Sequence, residues 1–442
     1  MNYENHIIEF LGLQGVEIVD IRRFKSKLKL EVKVRQKRSE CFCHYCGLHF
    51  DYVKEWSLRK LKGPPMGVYQ DVTIKFMQLR GYCYDCNKTS VATVDWIHPK
   101  LESMTCGFAE VAGRLMEEIT CEGVARILNC NSKSMWELDQ YRMLVMLQYM
   151  ELPKDLDVSY LSADEVHFRT VPIKDRKGLF AKRNRPEFVT NLVAPLGGKV
   201  LFNSLGRDSS ALKQSLNILS PGRKMTVEYF AVDMHEAFIT VVKEECPNAE
   251  VCVDRFHLVQ QVNKTFDIVR RSEFKRAEKE NDFLSRNMLE PHRRFILVSR
   301  EKDLSKSEQK LLDKLRKANE SIHTAMLLVE YFHKALDRKK ITSFRNTLKA
   351  WYLLVRESKL KPFLRFAKTI RKYRKNIESY IKSRLTTAVS EGLNNKIKVL
   401  KRMAYGYSNP ISFCRKILQR CGYLNHHAIN TDKFFFSVPN PA

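Results

Sequence analysis

Apolar and polar positions alternate along two stretches of the first hundred residues, LKLEVKVR (28–35) and YQDVTIKFMQLRGY (69–82). Period-two alternation with β-branched residues predicts strands. The cluster KGPPMG between them predicts a turn, so residues 1–98 read as short strands and turns. Beyond residue 98 the period lengthens. FAEVAGRLMEEI, TCEGVARILNC and NSKSMWELDQYRM repeat apolar residues every three or four positions, which predicts three short helices over 108–142. Thr120 is placed to cap the second, and Ser132 or Ser134 the third. A tight turn before the last helix gives a helix-turn-helix, with Ser132 to Arg142 as the recognition helix and Trp136 in its core.

From about residue 155 the pattern is mixed. Strands are expected at SYLSADEVHF, EFVTNLVAP, KVLFNSLG, MTVEYFAVD and AEVCVD, and helices at SSALKQSLNIL and HEAFITVVKEE. Residues 258 to 385 read as almost wholly helical, and a last clear helix is expected over 387–404. At 100° per residue its apolar positions Val389, Leu393, Ile397, Leu400 and Ala404 fall within about 80°. Glu391 lies opposite, in line with Asn395, Lys398 and Arg402, and Lys401 adds to the same basic run. A single carboxylate over an amide and cations suits a metal ligand followed by phosphate contacts. Gly392 disfavours a helix interior by about 1 kcal/mol relative to alanine, which points to a close backbone approach.

Charge sharpens this picture. Residues 1–254 carry 35 Lys/Arg against 33 Asp/Glu, whereas residues 255–442 carry 42 against 17. Nearly all of the net +27 therefore sits in the C-terminal part, where it favours a polyanion, with nucleic acid foremost. The N-terminus MNYENHIIEFLGLQG lacks the basic flank and long apolar run of a signal peptide, and no apolar run of membrane-spanning length follows. A cytoplasmic, reducing compartment is expected. There, paired cysteines mean metal more often than disulfides.

Two such pairs occur. Cys43-His-Tyr-Cys46 and Cys83-Tyr-Asp-Cys86 each leave two residues between thiols, the spacing that lets both meet one ion. The 36 residues between the pairs suffice for a strand pair that brings the knuckles together, giving a zinc ribbon. Cys41 lies close enough to leave the first ligand open, and the remaining cysteines, lacking pair spacing, are expected to be buried.

Three acids stand at predicted strand ends: Asp164 closes YLSAD, Asp233 closes EYFAVD, and Asp254 closes AEVCVD and begins Asp254-Arg-Phe-His257. Carboxylates displayed by a rigid sheet can hold a divalent cation against phosphate oxygens.

Taken in order, the four cysteines, the helix-turn-helix, ADE at 163–165, VDM at 232–234, DRFHLVQQVN at 254–263 and SEGLNNKIKVLKRMAYGYSN at 390–409 resemble the ISL-three family of bacterial insertion-sequence transposases over nearly the whole chain. The resemblance implies a multidomain α+β protein: a zinc ribbon (1–98), a helix-turn-helix (99–150), and a ribonuclease H-like catalytic domain. That domain would run over 155–265 and 376–442, interrupted by an all-helical insertion at 266–375. The order of three strands, helix, strand, helix, strand is compatible with it. By the same resemblance Asp164, Asp233 and Glu391 match the three catalytic acids, and Asp254 and His257 a supporting Asp-x-x-His element; Glu165 is a weaker candidate. The cofactors implied are two Mg²⁺ or Mn²⁺ ions and one structural Zn²⁺. The partners implied are the transposon's terminal inverted repeats and target DNA, bound by at least a dimer. The chain departs from the family between 167 and 187, where KDRKGLFAKRNR reads as an extended basic hairpin. Trp351 stacks on an unpaired base in one reading and packs in the core in the favoured one. A non-catalytic regulator and a nuclease without strand transfer are the competing functions. Three intact acids and paired N-terminal DNA-binding modules disfavour them.

Overall fold

The computed structural model describes residues 3–174, 180–290, 305–385 and 388–425. It is a mixed α+β chain that divides into two compact units, Met1–Glu151 with Val399–Ala442, and Leu152–Lys398. The division between the units falls inside a helix, at 398/399. The reason is the last described helix, which packs within the first unit.

That unit opens with α1 (Tyr3–Phe10) and a five-stranded sheet of β1 (Val16–Phe24), β2 (Lys29–Gln36), β3 (Tyr52–Gly63), β4 (Asp71–Cys83) and β5 (Lys88–Val91). The order is β1-β2-β4-β3, with β5 on β4; only β2 and β4 run parallel. The alternation read in β2 and β4 is literal: Leu30, Val32 and Val34 meet Val72, Ile74 and Phe76 in one core with Trp96. Strands β1 and β3 and helix α1 were not anticipated, because the inward positions of β1 and β3 are mostly only half-buried and their pattern is diluted. Near the end of β4, Gly81 admits Phe50: a Cβ there would lie 2.4 Å from the Phe50 ring.

Next come α2 (Cys106–Glu118), α3 (Cys121–Ile127) and α4 (Ser132–Gln148), around a core of Phe108, Ala112, Met116, Val124, Met135 and Leu138. Thr120 caps α3 as expected, accepting from the Gly123 amide at 3.1 Å. Helix α4 is capped not by Ser132 or Ser134 but by Asn131, whose Oδ1 accepts from the Lys133 amide at 2.7 Å; Asn reaches this amide as well as Ser does. The helix is also longer than expected, and Trp136 is half-exposed on a cavity of about 640 Å³ rather than packed in its core.

The second unit holds β6 (Tyr160–Lys174), β7 (Phe180–Ala194), β8 (Lys199–Leu205), α5 (Ser209–Leu216), α6 (Pro221–Met225), β9 (Tyr229–Val232), α7 (Glu236–Glu245) and β10 (Glu250–Val253). Its sheet order is β10-β9-β6-β7-β8. The hairpins β6–β7 and β7–β8 are antiparallel, while β9 joins β6, and β10 joins β9, in parallel across helical connections. The β6–β7 ladder reaches Lys174↔Phe180, so an extended hairpin is present; residues 175–179 of the basic stretch lie outside the described residues.

Helices then dominate: α8 (Arg255–Lys279), α9 (Phe283–Met288), α10 (Lys306–Ala318), α11 (Glu320–Leu336), α12 (Ile341–Ser358), α13 (Lys361–Lys372), α14 (Arg374–Ser383) and α15 (Ala388–Met403). Helices α11 and α13 pack on α8, and α14 packs on β10. Trp351 is fully buried, touches Phe332 and Phe366, and donates to the Leu328 carbonyl at 2.9 Å. It is a core residue with its indole N–H satisfied, and no face is left for a base.

The last described helix, α16 (Pro410–Cys421), packs on α2 and α4 in the first unit. There Lys416 Nζ meets Asp139 at 2.9 and 3.0 Å and the Met116 carbonyl at 2.9 Å, with both side chains buried. Lys416→Met should destabilise this unit by about 3–5 kcal/mol, because it strands a buried carboxylate. The double variant Lys416→Met/Asp139→Leu should recover most of the loss in urea titrations. No described helix is long and apolar enough to cross a membrane.

Candidate active site

Strand register brings the acids together. Ser162 pairs with Ala231, so Asp164 and Asp233, each two residues on, come level where β9 ends. Val253 pairs with Val232, which sets Asp254 beside Asp233. Contrary to the expectation from YLSAD, Asp164 does not close its strand. Its antiparallel partner β7 carries β6 on to Lys174, and Asp164 sits instead where the parallel neighbour stops. The three carboxylates thus stand together beyond the carboxyl ends of parallel strands, the side on which open α/β sheets bind ligands.

Each acid is held locally. Asp164 Oδ1 accepts from the Glu165 amide at 2.8 Å, and its Oδ2 accepts from Asn394 Nδ2 at 2.6 Å. Asp233 Oδ1 accepts from the Met234 amide at 2.6 Å. Asp254 is buried and caps α8 by accepting from the Phe256 amide at 3.1 Å. His257, in the first turn of α8, has Nδ1 3.7 Å from Asp233 Oδ1 and Nε2 3.9 Å from Asp254 Oδ2.

The electrostatics are those of crowded carboxylates. Burial raises the Asp164 carboxyl; the Glu165 amide and His257 oppose this, and the charges of Asp254 and Asp233 add to the rise. Glu165 is pushed up to about 7 by burial and then by Asp164 and Asp233, so it feels the same cluster although successive strand residues face opposite sides. Across the ladder from Asp164, Asn191 is 1% exposed and neither of its amide atoms has a hydrogen-bond partner. Hard oxygen donors in mutual repulsion, beside an unsatisfied buried amide, fit a divalent cation and its water.

Glu391 comes from a separate element. On α15, Leu393, Ile397 and Leu400 are buried as expected, with Val389 and Ala404 half-buried. Glu391, Asn395, Lys398 and Arg402 are exposed, and Lys401 is half-buried. Gly392 is no point of close approach, since a Cβ there would meet nothing within 4 Å. The unanticipated feature is polar. Ser390 and Asn394 are also buried, Ser390 Oγ lies 2.7 Å from Ser162 Oγ, and Asn394 holds Asp164. The clue was present in the sequence: Ser390 and Asn394 are four apart on a helix, and Ser162 and Asp164 two apart on a strand. Asp164, Asp233 and Glu391 are not drawn into one tight cluster. Among the described residues, only side chains near the paired cysteines bring three or more ligand atoms within 4.8 Å of one another.

Those are foremost Cys43, Cys46, Cys83 and Cys86, with Cys43 Sγ 3.5 Å from Cys86 Sγ and Cys46 Sγ 3.4 Å from Cys83 Sγ. Four thiols so close are compatible with tetrahedral zinc, whose Zn–S bonds of about 2.3 Å set sulfurs just under 4 Å apart. Cys41 is excluded from the set: it is buried, donates to the Lys37 carbonyl at 3.2 Å, and burial pushes its thiol up to about 11. Among the unpaired cysteines Cys106, Cys246, Cys252 and Cys421 are buried, while Cys121, Cys130 and Cys414 are half-buried.

A family model described as a transposase, of the ISL3 DDE type, matches residues 179–417, a stretch that includes Asp233, Asp254, His257 and Glu391. The transposase for insertion sequence element IS1001 of Bordetella parapertussis is 24% identical over 389 residues, covering 88% of this chain and 90% of that protein. The transposase for insertion sequence element IS1557 of Mycobacterium tuberculosis is 23% identical over 241 residues, covering 50% of this chain and 54% of that protein. Such a family implies DNA as partner and a divalent metal as cofactor. The chain belongs to the ISL3 family of insertion-sequence transposases.

Proposed function

We propose that this transposase is a DDE enzyme that binds the terminal inverted repeats of its element and carries out metal-dependent strand cleavage and strand transfer. The observation that carries the proposal is the level alignment of Asp164, Asp233 and Asp254, with Asn394, one turn beyond Glu391, bonded to Asp164. The strand order and directions of the second unit's sheet support a ribonuclease H-like catalytic domain, with residues 266–375 as its helical insertion.

Asp164, Asp233 and Glu391 would hold the catalytic metal. Two Mg²⁺ or Mn²⁺ ions supply Lewis-acid activation of the attacking oxygen and stabilisation of the leaving 3′-oxygen. Asp254, buried and engaged as the α8 cap, orients rather than ligates. His257 lies between Asp233 and Asp254, 3.7 Å from one and 3.9 Å from the other, and would hold the two apart and in place. Glu391 is exposed because its ligand field is shared with DNA, and Asn395, Lys398, Lys401 and Arg402 follow it along the helix as phosphate contacts. The four-cysteine cluster carries structural zinc. The ribbon and the α2–α4 helix-turn-helix read the terminal repeats, base contacts specifying and phosphate contacts positioning. Two protomers on paired ends complete the assembly.

The test is nicking of a labelled duplex that carries the element's own terminal repeat. The protein should cut at the repeat end with Mg²⁺ or Mn²⁺ and not with a chelator. Binding without cleavage, where a related transposase cuts its own ends, would favour a regulator instead. Binding should also weaken steeply with salt, by about three orders of magnitude between 50 and 200 mM for six or more phosphate contacts. A flat salt response in a filter-binding titration would remove the basic helices from the DNA interface.

A further inference from the structure

We propose that Ser390 and Asn394 of α15 form a two-point clasp with Ser162 and Asp164 of β6, and that Asn394 is a positioning residue for the metal-binding carboxylates. This rests on the catalytic reading of Asp164 and Glu391 given above.

The spacing explains why the clasp sets a register. Ser162 and Asp164 are two apart on a strand and so face one side about 6.7 Å apart. Ser390 and Asn394 are four apart on a helix, a rise of about 6 Å. The two repeats match, so Ser390 Oγ meets Ser162 Oγ at 2.7 Å while Asn394 Nδ2 meets Asp164 Oδ2 at 2.6 Å. All of these side chains except Asp164 are more than nine-tenths buried, so a slipped register would leave them desolvated and unpaired. Around the helix Glu391 lies about 60° beyond Asn394, and a one-residue slip would swing it by about 100°. Glu391 itself is exposed. Its placement is therefore delegated to its buried neighbours.

The chemistry of the contact is specific. An amide donates to Asp164 without adding charge to a site already crowded by Asp233 and Asp254. With the Glu165 amide on Oδ1 and Asn394 on Oδ2, the plane of the Asp164 carboxylate is defined, and each oxygen keeps a lone pair for metal. Removing such an oriented donor costs metal affinity before it costs turnover.

The experiment compares full-length parent, Asn394→Ala, Asn394→Leu and the control Gly392→Ala. Mn²⁺ binding without DNA is measured by titration, and Mn²⁺ activation of end nicking is measured separately. Both Asn394 variants should bind Mn²⁺ about 10–100-fold more weakly and need correspondingly more metal for half-maximal nicking. Their rate at saturating metal should fall far less and their duplex binding should match the parent, while their thermal midpoint should drop by a few degrees for the lost buried hydrogen bond. Gly392→Ala should follow the parent in metal binding, nicking and duplex binding, with a thermal midpoint at or above the parent's. Parent-like Mn²⁺ binding by either folded Asn394 variant overturns the clasp, as does an equal loss of metal affinity in Gly392→Ala. A parent that binds Mn²⁺ yet never cuts would defeat the proposed reaction while the binding titration still decides the clasp. A parent that neither binds nor cuts overturns both.

Discussion

Glu391→Gln should lower metal-dependent nicking of the terminal repeat by about a thousandfold or more while leaving duplex binding within a few-fold of the parent. Glutamine keeps the shape of the side chain and loses only its charge. Metal-ion catalysis contributes several kcal/mol of transition-state stabilisation, and each 1.4 kcal/mol is about tenfold in rate. The side chain is exposed, so folding should change by about 0.5 kcal/mol at most. Asp233→Asn should behave in the same way. Asp254→Ala should differ, because Asp254 is buried and caps α8 through the Phe256 amide. There the loss should register first in the melting curve, at about 1 kcal/mol. Nicking by Glu391→Gln at the parent rate would remove Glu391 from the metal site.

Cys83→Ser, or treatment with a strong chelator, should release one equivalent of zinc and unfold the outer part of the first sheet. The apolar contents around the four thiols are meagre: Phe50, Leu79 and Ala92 are buried there, with Val53 packed against them. So small a core does not hold itself together, whereas structural zinc contributes about 10–16 kcal/mol at neutral pH. Expected observations are zinc in the purified protein at one per chain and rapid proteolysis between residues 41 and 92 once it is gone. Cys41→Ser should keep its zinc, since Cys41 bonds the Lys37 carbonyl and lies outside the cluster. Zinc lost from Cys41→Ser and retained by Cys43→Ser would reverse the ligand assignment. The larger core of Val32, Val34, Ile74 and Phe76 should survive chelation.

These residues differ in how plainly the sequence announced them. The two Cys-x-x-Cys pairs are local: two thiols on one tight turn need no distant partner to be recognised, and only the choice against Cys41 waited for the fold. Strands β2 and β4, helices α2 and α3, and the succession from β6 to β10 follow from alternation and helical period, because one buried face imposes its repeat on the chain. Strands β1 and β3 were invisible since their inward positions are only partly covered. Trp351 read correctly as core from its apolar setting, whereas Trp136 did not: a helical period says which residues share a face, not which face is covered.

What the sequence by itself determined is the family and the pairing of the thiols, since long motif strings and short spacings are properties of the chain alone. Tertiary structure decided the rest. It placed Asp164 inside a strand, at the level where β9 ends, because register depends on which strands pair. It gave Val399 onward to the first unit because α16 buries Lys416 against Asp139. It turned the flank of α15 into a contact with β6, because only a folded sheet can set Ser162 and Asp164 opposite Ser390 and Asn394 and make their burial depend on that pairing.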